Sequence, residues 1–90
     1  MELSDGIPQP ESESLDRAEE ARRLRRLQIM MNMVLSVIGQ DPDLTVEQAS
    51  EMAANARRAA LAMFPGKELA FDLIYRPRLQ RVMRERFRLQ

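Results

Sequence analysis

The sequence predicts an all-α protein, a small bundle of two long and two short helices. Two observations carry this. Apolar residues recur at helical spacing: Leu24, Leu27, Met31, Val34 and Ile38 step by three and four, as do Ala49, Ala53, Ala56, Ala60 and Met63. No segment alternates polar with apolar residues, and β-branched residues are scarce, so no strand is expected.

Residues 1–13, MELSDGIPQPESE, hold Gly6, Pro8 and Pro10 and show no periodicity, which reads as a disordered acidic tail ahead of a single helical domain over 14–90. The first helix is expected over 14–38. Ser12 or Ser14 serves as its N-cap, Glu13 or Asp16 lies near its positive end, and Gly39 is the residue that ends it. It contains the most informative stretch of the chain. Eight of the ten residues from Ile29 to Ile38 are large and apolar: Ile29, Met30, Met31, Met33, Val34, Leu35, Val37 and Ile38. A surface helix needs one apolar stripe, and a 90-residue chain has little interior in which to bury a helix on every side. A helix of 25 residues, about 37 Å long, also outruns a small globule, so it projects in part and pairs in an oligomer.

Gly39-Gln40-Asp41-Pro42-Asp43 is a turn. Thr45 opens the second helix, 45–63, with Gln48 three residues on, the pattern of a capping box. Its alanine seam allows a partner helix close. Phe64-Pro65-Gly66 breaks the pattern, and Pro65 is expected to restart a helix in its first turn. The third helix, 66–75, is expected to turn Leu69, Ala70, Leu73 and Ile74 inward with Phe71 and Tyr75 beside them. Arg76-Pro77 repeats the break, and the fourth helix, 77–89, buries Leu79, Val82, Met83 and Phe87.

Several functions lose support. With no Cys there is no disulfide framework or thiolate chemistry, and with no His the commonest general base and transition-metal ligand are missing. No phosphate-binding glycine loop, metal-ligand spacing or nucleophile–base pair is present. Asp41-Pro42-Asp43 reads as turn chemistry rather than as a carboxylate pair, and Asp72 and Tyr75 have no evident catalytic companion. The expectation is a protein that is not an enzyme and takes no cofactor or metal. The acidic start and the shortness of the apolar run argue against a secretory signal and a membrane span, giving a cytoplasmic protein.

Net charge is zero but unevenly laid down, and thirteen of the fourteen basic residues are Arg. Residues 1–20 carry seven acids against Arg17, and residues 76–90 six Arg against Glu85. Around Arg22-Arg23-Leu24-Arg25-Arg26, Glu19 and Glu20 stand three and four residues ahead of Arg22 and Arg23, and Glu13 four ahead of Arg17, so a self-paired helix face is expected. Arg78, Arg81, Arg84 and Arg88 are expected on one side of the last helix as candidate contacts to phosphate or an acidic partner. Arg86, projecting to the apolar side, calls for an acid such as Asp72 or a frayed helix end. A helix-turn-helix reading of the second and third helices fails because the third exposes Lys67, Glu68 and Asp72, two of them acids.

The functional expectation is a non-catalytic helical interaction module, an adaptor or regulator that forms a homodimer or docks on another protein. Leu27, Met30, Met31, Met33, Val34, Val37 and Ile38 form the interface. A nucleic-acid-associated protein using the C-terminal arginines is the alternative.

Overall fold

The computed structural model describes the backbone of residues 10–88 and the side chains of residues 14–88. Four helices follow one another: α1, Pro10–Gln40; α2, Val46–Met63; α3, Glu68–Ile74; and α4, Arg76–Phe87. Among the described residues there is no strand. The chain is an all-α bundle of two long and two short helices, as its periodicity predicts. Of the expected tail over residues 1–13, residues 1–9 lie outside the described residues, and the backbone of 10–13 belongs to the first helix.

α1 starts earlier and ends later than its periodicity suggests. The helix begins at Pro10, a residue whose fixed φ suits a first helical turn, so Ser12 and Ser14 lie within the helix and not at the expected N-cap position. At its other end Gly39 does not stop the helix, which continues through Gln40. The glycine is there for room: a Cβ on Gly39 would come to 3.2 Å from Cγ2 of Val82 on α4. Termination falls instead to Asp41-Pro42-Asp43. The Asp41 N–H still donates to the Val37 carbonyl at 2.9 Å, and the Asp41 carboxylate then accepts from the Asp43 N–H at 3.0 Å.

Thr45 caps α2 as its sequence predicts. Its hydroxyl accepts from the Gln48 N–H at 3.1 Å, and the Gln48 side chain accepts from the Thr45 N–H at 3.0 Å. Between α2 and α3 the structure corrects the expected role of Pro65. Phe64 to Lys67 form a turn closed by the Lys67 N–H on the Phe64 carbonyl at 3.3 Å. Gly66 adopts φ +78°, which the third position of a type II turn demands, and Pro65 pre-sets the second position, so α3 begins only after Lys67. Tyr75 is the single joint between α3 and α4, and Pro77 sits in the first turn of α4. α4 ends at Phe87, where Arg88 takes a left-handed conformation with φ 55°.

The core is one cluster: Leu27, Met31 and Ile38 from α1; Ala49, Ala56 and Ala60 from α2; Phe71; Tyr75; and Leu79 from α4. The alanines of α2 let α1 close on it, and α4 runs beside α1 in the same direction. The start of α4 shares a groove with Leu24 and Leu27, and its end meets Gly39 and Asp41. α3 presents a different face from the one expected. Phe71 and Tyr75 are buried with their rings 5.3 Å apart, while Leu69, Leu73 and Ile74 are exposed. A seven-residue helix can bury only one narrow stripe, and two aromatic rings remove more apolar surface from water than two leucines do.

α1 spans 31 residues, about 46 Å. Every side chain from Ser14 to Arg26 is exposed, so this half of the helix projects beyond the bundle. The radius of gyration is accordingly 18.0 Å, against about 12 Å for a compact chain of this length.

Candidate interaction surfaces

The apolar residues of α1 divide between two faces. Leu27, Met31 and Ile38 are buried in the chain's own core, and Met30, Val34 and Leu35 are half-buried against it. These positions belong to the fold of one chain. Of the seven expected interface residues, only Met33, 63% exposed, and Val37, 37% exposed, remain free. Ile29, 54% exposed and not among the seven, joins them at the same four-residue spacing. With Asn32 and Ser36 these three line a shallow depression of about 360 Å³ on the side of α1 away from the bundle. The spacing Ile29, Met33, Val37 was in the sequence, but so was the stronger 3-4 seam beside it, and periodicity alone does not say which stripe the chain uses for itself.

The C-terminal arginines do not form one row. Arg78 turns towards the α1–α3 side, where its guanidinium lies 5.6 Å from the centre of the Tyr75 ring. Arg84 lines the groove between α2 and α4. Arg81 is exposed between them, and Arg88 has left the helix in its left-handed conformation. Arg86, expected to meet an acid such as Asp72 or to lie at a frayed helix end, does neither: it stays in α4, is half-buried and donates to the Asp41 carbonyl at 2.8 Å, with its guanidinium 5.0 Å from the Phe87 ring centre. That places a positive charge at the negative end of α1, whose last turn holds no basic residue of its own.

Asp72 is taken instead by Arg57 of α2. The Arg57 Nε and one terminal nitrogen donate to the two carboxylate oxygens at 3.0 and 3.1 Å, a bidentate pair fixing α3 against α2. Among the described residues this is the only salt bridge, so the expected pairing of Glu19 and Glu20 with Arg22 and Arg23 does not form. Fully solvated pairs gain too little to fix two long side chains.

The hydrogen bonds from Arg57 hold the Asp72 carboxyl below its ordinary range, with a smaller pull from the charges of Arg57 and Arg76 against the opposing effect of burial. The bridge therefore supports the fold above the unfolded carboxylate pKa of about 3.9, and that support is lost as pH falls through the lower folded value. Asp72→Asn is expected to melt below the unmodified chain at pH 7, with the gap closing in acid. A gap that persists unchanged at pH 2 would show that the ion pair is not its source.

Two larger grooves flank α3. One, about 690 Å³, lies between α2 and α4, with Ala53, Leu79 and Met83 beneath and Arg57, Asp72, Arg76 and Arg84 at its rim. The other, about 650 Å³, lies between α1 and α3. Among the described residues no group of three His, Cys, Asp or Glu gathers to hold a metal ion, and no helix is long and apolar enough to cross a membrane. Comparison with protein-family models, with curated proteins and with solved structures yields no match to this chain.

Proposed function

We propose that the protein is a non-catalytic helical interaction module that acts as an adaptor or regulator and associates with a second copy of itself through the outer face of α1. The exposed stripe of Ile29, Met33 and Val37, on the side of α1 opposite its buried seam, carries this reading. A twofold dimer uses the same patch on both subunits, so the patch must complement itself. An antiparallel pair centred on Met33 does this. Ile29 of one copy meets Val37 of the other, and Arg26, seven residues before Met33, comes level with Gln40, seven residues after it. Arg26 thereby faces the negative end of the opposing helix, a second cation beside Arg86.

Light scattering or sedimentation at low to high micromolar concentration tests this, with and without generic duplex and single-stranded oligonucleotides. Twice the 10.4 kDa chain mass, unaffected by nucleic acid, is the expected result. A monomer at high micromolar concentration overturns it, and a complex formed only with oligonucleotide makes the arginines of α4 the functional surface instead.

A further inference from the structure

We propose that the groove between α1 and α3 is a docking site for an acidic amphipathic helix of a different protein. Its floor is apolar, with Leu27, Ala60, Phe71 and Tyr75 at the bottom. Its walls rise into Leu24 on α1 and Ile74 on α3, 46% and 52% exposed. A helix packs there by setting its ridge of side chains between the two flanking helices, and the small side chain of Ala70 on the α3 wall lets its backbone approach. Both walls are helical, so no free strand edge is present to recruit an extended peptide. The groove runs along α1 from Leu24 to Asn32, about 12 Å, and is open to solvent along its length. That form suits a helix laid in from outside better than a lipid tail, which needs enclosure.

Charge selects the acidic partner. The ionic side chains lining the groove are Lys67 and Arg78, and no carboxylate lines it. Arg78 is already placed over the Tyr75 ring, so little of its freedom remains to be lost on pairing. The groove on the other side of α3 differs in this respect, because Asp72 there already occupies Arg57. A second copy of this chain is a poor occupant. The apolar stripe on its α1, Ile29, Met33 and Val37, is continued by Arg22 and Arg26, its exposed Leu69 and Leu73 stand on a seven-residue helix shorter than the groove, and its acidic stretch around Asp16, Glu19 and Glu20 offers only Leu15 as a large apolar residue.

The test uses the full chain and labelled peptides of roughly 16 residues, long enough to hold a helix once docked. Leu recurs at i, i+4 and i+7, flanked by Glu in one peptide and by Lys in the other, and dodecanoate serves as a lipid-like competitor. By fluorescence anisotropy near 0.1 M salt the Glu peptide is expected to bind about tenfold or more tightly than the Lys peptide. Ala70→Glu and Arg78→Glu should each weaken it about tenfold, whereas Arg84→Glu, at the other groove, should leave it unchanged. All three positions are exposed, and thermal melting checks that each variant is folded. Equal binding of the two peptides, indifference to Ala70→Glu, or displacement of the peptide by sub-micellar dodecanoate overturns the proposal. The groove shares only Asn32 with the α1 outer face and neither Met33 nor Val37 lines it, so a chain carrying Met33→Glu and Val37→Glu should bind the Glu peptide as well as the unmodified chain does.

Discussion

Replacing Met33 and Val37 together with Glu is expected to leave a monomer with the helix content and cooperative melting of the unmodified chain. Both residues stand on the outer face of α1, apart from the cluster that holds the bundle together. As single-chain substitutions they are surface changes, which rarely shift stability by more than about 0.5 kcal/mol. Across a twofold interface the arithmetic differs. Each substitution appears twice, four carboxylates enter one small apolar patch, and each must lose its water without gaining a partner. A penalty of only about 3 kcal/mol already raises a dissociation constant roughly a hundredfold. Sedimentation and far-UV circular dichroism on the same samples separate the outcomes. A variant that remains dimeric removes this face from the interface. A variant that unfolds shows that Met33 and Val37 serve the fold instead.

Much of the fold was legible because local chemistry and tertiary packing agree. Thr45 and Gln48 announce the start of α2, the Pro-containing breaks separate the helices, and the step Leu27, Met31, Ile38 is the seam the chain buries. The departures come where two local signals compete. Gly39 resembles a helix stop, yet its missing side chain makes room for Val82, a residue 43 positions away that no local pattern reveals. Leu69 with Leu73 and Phe71 with Tyr75 are equally helical pairs, and only the position of α3 over α2 and α4 decides between them. Arg57 and Asp72 meet across 15 residues, with no spacing rule to join them, so the acid that sequence offers to Arg86 is already taken. The candidate interface was half legible: sequence marks α1 as having too much apolar surface, and only packing shows which part is left over.

That division predicts unequal costs for the same substitution on two faces of one helix. Ile38→Ala is expected to destabilise the monomer by about 2–5 kcal/mol, because Ile38 is completely buried and its loss leaves a cavity as well as removing apolar contact. The neighbours fill such a space only in part. The buried α2 members of the cluster are alanines, too short to reach in, and Val82 is already close against Gly39. Against a total stability of about 5–15 kcal/mol this is a large fraction, and in a domain of this size it lowers the melting temperature by on the order of 10 °C or more. Ile29→Ala, at a half-exposed position nine residues earlier, is expected to cost the monomer about 0.5 kcal/mol or less, mostly as lost contact within the helix surface. Both are best measured by thermal melting in the Met33→Glu, Val37→Glu background, so that dissociation of a dimer does not add to unfolding. In the unmodified chain the order of effects on the proposed association is expected to be reversed: Ile29→Ala should weaken it, while Ile38→Ala should act on it only through the folded fraction. Equal costs at the two positions in the monomer would mean that α1 is buried on both sides, leaving no free face for a partner.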